Sequence, residues 1–235
     1  MIDIHNHLLY GIDDGSKSLE STIDTLKDLE ILGYNSIILT PHYIKNSKYN
    51  SNKSNNIKIL RELKKEVKKN NININLYLGN EIFYDDDIYE LLNNKEISSL
   101  NNTEYLLIEL PMSGEVNGYE DVFNDLLLKG YKVILAHPER YLSFQKDYSK
   151  INDLYDMGIL FQCNIESIID SYGKNAHKVV KKLLKEGKVS YLATDIHHKK
   201  KDYSKIEKSF KKIKKIIKED EFDKLINVNP SHLID

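Results

Sequence analysis

Seven short apolar runs alternate with segments of helical spacing, and this alternation constrains the chain more than any other feature. The runs span 2–4, 37–39, 74–78, 105–110, 133–136, 160–165 and 189–193. Between them lie stripes such as Leu19, Ile23, Leu26, Leu29 and Leu32, and Ala176, Val179, Val180, Leu183 and Leu184. The first stripe reads as a helix capped by Ser16 or Ser18 and stopped by Gly33. The polar stretch 45–56 reads as a loop, with a Lys/Glu-rich helix after it to about Lys69. Strands alternating with helices build parallel βαβ units. Seven units predict a (β/α)7 barrel; an open doubly wound sheet also fits the pattern. No linker or repeat divides the chain, so residues 1–235 read as one domain.

Composition removes several function classes. A net charge of -2 gives no general attraction to nucleic acid or an acidic membrane. Runs such as Lys199 to Lys201 and Lys211 to Lys215 read as solvated faces. One cysteine, Cys163, rules out a disulfide within the chain and reads as a core strand residue. Cys163 also lacks the arginine six positions on that a cysteine-based phosphatase needs, since Ile169 stands there. No phosphate-binding glycine loop is present. No apolar run reaches membrane-spanning length, and the start MIDIHNH is unlike a signal peptide. A cytoplasmic location is expected.

The chemistry sits where the strands end. The first run leads into His5-Asn6-His7, the second into Pro41-His42 and the third into Glu81. The fourth carries Glu109, the fifth leads into His137-Pro138-Glu139-Arg140, and the seventh into Asp195-Ile196-His197-His198. Parallel α/β folds gather the carboxyl ends of their strands on one face, where sites are built. Six of seven strands thus bring a candidate metal ligand to one rim. Each motif alone has a plainer reading: a rim histidine, or a carboxylate in an ordinary ion pair. Structural ion pairs, however, have no reason to collect at one end of six strands. His5-x-His7 and Asp195-x-His197 place alternate side chains on one side of an extended segment. Asp14, in the first loop, reads equally as a ligand or a turn carboxylate. The His/carboxylate mixture suits zinc, manganese or iron, and so many donors imply two or three ions. Arg140, one of two arginines beside Arg61, is the candidate phosphate binder. His177 and His232 lie outside the rim pattern, and His198 should point away from His197.

MIDIHNHLLYGIDDGSKS, LTPH, GNEI, LIEL, AHPERY and ATDIHH resemble the PHP (polymerase and histidinol phosphatase) superfamily. Within it, the chain is most similar to bacterial PHP-type protein-tyrosine phosphatases of capsule and exopolysaccharide gene clusters. The likeness extends from residue 1 to Asn229-Pro230. The resemblance implies a distorted seven-stranded TIM-like barrel and a trinuclear site, usually manganese-dependent. It implies that His5, His7, Glu81 and Asp195 hold one metal, that Glu81, Glu109 and His137 hold a second, and that Asp14, His42 and His197 hold a third. Arg140 matches the family's phosphate-binding arginine, and Glu109 stands where many other members have histidine. The chain departs from the family where a second arginine often follows the Asp-x-His motif: it reads His198-Lys199-Lys200-Lys201-Asp202. The implied activity is hydrolysis of phosphotyrosine on a protein, the tail of a membrane-associated bacterial tyrosine kinase being the expected substrate. The alternatives are a small-molecule phosphatase of the histidinol phosphatase type and a catalytically silent metal-binding partner.

Overall fold

The computed structural model describes residues 1–114, 116–199 and 202–234. Its strand segments are β1 (Ile2–Asp3), β2 (Ser36–Leu39), β3 (His42–Tyr43), β4 (Asn75–Leu78), β5 (Glu81–Phe83), β6 (Tyr105–Glu109), β7 (Lys132–Ala136), β8 (Leu160–Asn164) and β9 (Tyr191–Ala193). All pairings are parallel, in two sheets ordered β1-β2-β4 and β3-β5-β6-β7-β8-β9. These nine segments fill the seven expected strand positions, because two positions are interrupted. Thr40-Pro41 separates β2 from β3, and Gly79-Asn80 separates β4 from β5. Pro41 has no N–H to give a ladder. The Asn80 side chain donates to the Pro41 carbonyl at 3.0 Å instead. Register survives the break: Leu39 faces Leu78 before it and His42 faces Glu81 after it.

Neighbouring strand positions therefore follow chain order, as in a barrel. The first and last positions meet only near their ends. Asp195 N donates to His5 O, and His7 N donates to Ile196 O, both at 2.9 Å. Deeper in, the Asp3 carboxylate replaces the ladder, accepting from Thr194 N at 3.0 Å and Thr194 Oγ1 at 2.7 Å. Burial raises the Asp3 carboxyl to about 6. The expected TIM-like barrel is thus distorted, with no continuous ladder closing it among the described residues.

Helices fill the intervals. α1 (Leu19–Ile31) is capped by Ser18, whose hydroxyl accepts from Ser21 N at 3.2 Å, and buries Ile23, Leu26 and Leu29. Ser16 is not the cap; its hydroxyl accepts from Thr22 Oγ1 at 2.8 Å. Gly33, at φ +94°, turns the chain out of the helix. α2 (Lys53–Lys69) begins inside the stretch expected to be loop. Asn52 caps it, and its apolar stripe starts only at Ile57, so the first turn is polar on every side. α3 (Ile88–Asn93), α4 (Tyr119–Leu128), α5 (Leu142–Lys146), α6 (Ser149–Met157), α7 (Lys174–Lys185) and α8 (Ser204–Ile213) follow. Cys163 is fully buried in the core. Lys211, Lys212, Lys214 and Lys215 are exposed. Among the described residues no helix is long and apolar enough to cross a membrane.

Candidate metal centre

The strand ends bring together His5, His7, Asp14, His42, Glu81, Glu109, His137, Asp195 and His197. Four overlapping groups have ligand atoms within 4.8 Å of one another: His7-Asp14-His42-His197, His5-His7-Glu81, His5-His137-Asp195 and His42-Glu81-Glu109. Glu81, first residue of β5, is the hub. Its Oε1 lies 3.1 Å from His5 Nε2 and 3.0 Å from His137 Nε2. Its Oε2 lies 3.2 Å from His7 Nε2 and 2.9 Å from His42 Nδ1. Asp195 Oδ1 stands 3.5 Å from His5 Nε2 and 3.4 Å from His7 Nε2. Glu109 Oε1 is 3.6 Å from His137 Nε2. Asp14 Oδ1 faces His42 Nε2 at 3.8 Å and His197 Nε2 at 3.6 Å.

Backbone geometry aims these groups. His137 and Asp195, both at strand ends, adopt positive φ of 32° and 51°, unusual for residues with a Cβ. Gly15 is fixed by space: a Cβ there would lie 2.0 Å from His7 O and 2.4 Å from His7 Cβ.

Three imidazoles have their tautomer set by an acceptor at the outer ring nitrogen. His5 Nδ1 donates to Gln162 Oε1 at 2.7 Å, His7 Nδ1 to Asp13 Oδ2 at 2.7 Å, and His197 Nδ1 to the Asp195 carbonyl at 3.0 Å. Each acceptor oxygen holds the ring proton on Nδ1 and turns the Nε2 lone pair into the cluster. The buried Nε2 atoms of His5 and His7, His42 Nδ1 and Asp14 Oδ1 have no hydrogen-bond partner. Two ligands of one ion at about 2.1 Å stand roughly 3.4 Å apart. The observed separations match that spacing, and the unpartnered donors supply what a cation needs, so the residues fit divalent metal.

Charges crowd here. At His5, burial opposes protonation, but Glu81 and Asp195 outweigh it and raise the imidazole to about 9. His7 is raised against the same opposition by Asp13, Asp195 and Glu81. Burial, then Glu81, raises Glu109 to about 8. His137 is lowered to about 4, chiefly by burial, with Arg140 acting in the same direction. Glu81 resists burial and stays ionised through His5 and His42. The cluster is not uniformly enclosed. His5, His7, Glu81, His137 and Asp195 form a buried floor, while the Asp14, His197 and Arg140 side chains are 47%, 29% and 25% exposed. The site opens on that side.

Arg140 reaches the cluster, where its Nη1 donates to Asp195 Oδ2 at 2.8 Å. Lys199, which could take the part of a second phosphate contact, instead pairs with Asp24 on α1 at 2.8 Å; Lys200 and Lys201 lie outside the described residues. His198 is exposed beside His197. His177 sits 3.3 Å from Asp170, and His232 is exposed, both away from the cluster's donor groups.

Sequence reasoning missed the outer partners. β8, the one strand credited with no ligand, supplies Gln162 and also Asn164, whose Nδ2 donates to Asp195 Oδ2 at 2.7 Å. Gln162 Nε2 in turn donates to Asn164 Oδ1 at 3.0 Å. Their period-two spacing between Phe161 and Cys163 was the available signal. Asp13 also went unassigned. Besides holding His7, it accepts from Gly15 N and His42 N, both at 2.9 Å. Replacing such outer partners typically costs 10–100-fold in metal affinity or activity. Asp13→Asn should lower divalent-metal affinity by about that factor with Glu81 and Asp195 intact, read by metal titration. Affinity unchanged within a factor of two would show that His7 holds its orientation without Asp13.

Related proteins share this architecture. A solved structure described as YwqE from Bacillus subtilis and CpsB from Streptococcus pneumoniae, metal-dependent tyrosine phosphatases, superposes with a TM-score of 0.86 at 27% identity, covering 98% of this chain and 93% of that one. A Lactococcus lactis histidinol phosphate phosphatase shares the fold, with a TM-score of 0.59 and 15% identity over 92% of this chain and 93% of that one. In sequence, a CapC protein of Staphylococcus aureus is 37% identical over 199 residues, 84% of this chain and 77% of its own length. The tyrosine-protein phosphatase YwqE of Bacillus subtilis is 30% identical over 200 residues, 85% of this chain and 78% of its own length. All of residues 1–235 match one sequence family, so the chain belongs to the CpsB/CapC family of capsular polysaccharide synthesis.

Proposed function

We propose that the chain is a metal-dependent protein-tyrosine phosphatase, with the strand-end cluster as its catalytic centre. The observation that carries this is the buried donor set itself. Three of its imidazoles have their outer nitrogens fixed, and the inner nitrogens of His5, His7 and His42 have no hydrogen-bond partner. The relatives named tyrosine-protein phosphatases, together with the metal-dependent solved structures, support the choice of reaction. His5, His7, Asp14, His42, Glu81, Glu109, His137, Asp195 and His197 would hold two or three divalent ions, with manganese the first choice and iron or zinc the alternatives. When bound, such ions activate water and offset charge on a phosphoryl group.

The chain's own residues do the rest. Asp13, Gln162 and the Asp195 carbonyl hold the Nδ1 protons of three imidazoles and so turn their Nε2 atoms inward. Arg140, at the open side, would bind the phosphoryl oxygens, for which a planar guanidinium is suited. No side chain in the cluster is a cysteine or serine nucleophile, so direct hydrolysis without a phosphoenzyme is the favoured course. Residues 1–235 act as one unit in this reading. The substrate would be a phosphotyrosine protein in the cytoplasm, with the tail of a membrane-associated tyrosine kinase of capsule synthesis as the first candidate.

Turnover of a phosphotyrosine peptide, lost on chelation and restored by manganese, is the expected result. Phosphoserine peptide and histidinol phosphate should be cleaved far more slowly. Preference for histidinol phosphate would overturn the protein-tyrosine assignment.

Metal uptake should also be pH-dependent. In the metal-free protein His5, His7 and Glu109 carry protons at pH 7, because their pKa values are raised, to about 9 for His5 and about 8 for Glu109. Ligation removes those protons, so affinity rises with pH from 6 toward 9. Calorimetry in buffers of different ionisation enthalpy should read release of about two to three protons per protein at pH 7. A buffer-independent heat would contradict it.

A further inference from the structure

The segment after β8 holds no member of the donor set, yet it touches the open edge of the site. It runs through a tight helical turn at Ile165–Ile169, then Asp170 at φ +63°, and presents Tyr172 just before α7. The half-buried Tyr172 ring lies face-on to Arg140, with Cζ 4.6 Å from the ring centroid. Arg140 is thereby held twice, in different ways. Its Nη1 is tied edge-on to Asp195 Oδ2 at 2.8 Å. The aromatic face then fixes the plane of the guanidinium, which one hydrogen bond at Nη1 leaves free to swing. Among the described residues Nη2 and Nε make no hydrogen bond. The two contacts thus leave a fixed fork of unused N–H groups at the side where the site opens.

We infer that Tyr172 is a positioning residue for phosphate recognition, acting through Arg140. It stacks beneath the guanidinium and holds the free N–H groups in the plane that a tetrahedral oxyanion requires. This rests on the reading that Arg140 binds the phosphoryl group. It gives the aromatic ring a role that would be lost with a lysine at position 140. An ammonium has no plane to be held, and the second cation of the pattern, Lys199, is turned away to Asp24. The loop after β8 therefore sets phosphate affinity without touching the substrate.

The test uses metal-loaded protein and inorganic phosphate as the probe, with affinity read both as competitive inhibition and by calorimetry. Tyr172→Phe keeps the ring and should hold phosphate affinity within about 2-fold. Tyr172→Leu removes it and should weaken phosphate by about 5- to 30-fold, the range of a partly buried cation–π contact. KM should rise by a similar factor, with metal content unchanged. In an Arg140→Lys background, adding Tyr172→Leu should change nothing further, because both act through one group. Should Tyr172→Leu lose metal or unfold, Tyr172→Met, of similar length, repeats the measurement. If Arg140→Lys weakens phosphate but Tyr172→Leu and Tyr172→Met do not, the positioning role is overturned and the reading of Arg140 survives. An undiminished effect of Tyr172→Leu in the Arg140→Lys background overturns it as well. If Arg140→Lys leaves phosphate affinity intact, the reading of Arg140 falls, and the inference with it.

Discussion

Glu81→Ala should cost at least about three orders of magnitude in kcat/KM. Its two carboxylate oxygens approach four imidazoles, those of His5, His7, His42 and His137, at 2.9 to 3.2 Å. Among the described residues no other carboxylate approaches so many imidazoles, so its loss should uncouple the metal positions from one another. Charge stabilisation by bound metal is worth several kcal/mol, and each ~1.36 kcal/mol is tenfold in rate. Metal stoichiometry, measured by elemental analysis after gel filtration, should fall in parallel. Glu81→Gln separates charge from volume. The amide keeps the shape but offers one acceptor, so it should sit much nearer the alanine variant than the wild type. Activity within tenfold of wild type in either variant would mean that the reaction does not depend on this cluster.

Gly15→Ala should be nearly as damaging, although Gly15 carries no chemistry. Its φ is not in the left-handed region, so the backbone itself would accept alanine. The obstacle is His7, whose carbonyl oxygen and Cβ a new methyl would meet at 2.0 and 2.4 Å. Those atoms belong to backbone and its first side-chain carbon, which cannot rotate away. That carbonyl also accepts from Ser16 N at 2.9 Å. The chain must therefore shift, and His7 shifts with it. Overpacking of this kind costs about 1–3 kcal/mol. For a chain of this size that lowers Tm by roughly 2–12 °C. A misplacement of about 1 Å can cost 10²-fold in rate, so activity should fall by at least about that much. Wild-type melting and turnover would show that the loop slides without carrying His7.

Much of this was legible before any coordinates. Alternating runs fix the seven strand positions, and the carboxyl-end rule puts His5, His7, His42, Glu81, Glu109, His137 and Asp195 on one rim. What the sequence conceals is local substitution of side chains for backbone. The breaks at Thr40-Pro41 and Gly79-Asn80 are bridged by Thr40 and Asn80, residue types that elsewhere mark loops. α2 begins three residues before its loop was expected to end, because a polar first turn capped by Asn52 has the composition of a loop. Asp13 hides behind a plausible turn, and it does make that turn while also holding His7. Tyr172 has no local pattern at all. Its part in the site depends on a contact with Arg140 that only the fold brings about.

The seam between the first and last strands sets when the centre can exist. Asp3 and Thr194 are 191 positions apart, yet they bond directly, and His5 and His7 are clasped to Asp195 and Ile196 just above them. Contacts of such long range are reached late, since the loop they close must be ordered first. A ribosome making this chain releases His5 and His7 nearly two hundred residues before Asp195 and His197. For most of synthesis the early histidines wait without their partners. A nascent chain halted before Asp195 would own seven of the nine donors and still lack the clasp that gathers them, so competence to bind metal should arrive abruptly, once Asp195 and His197 have emerged.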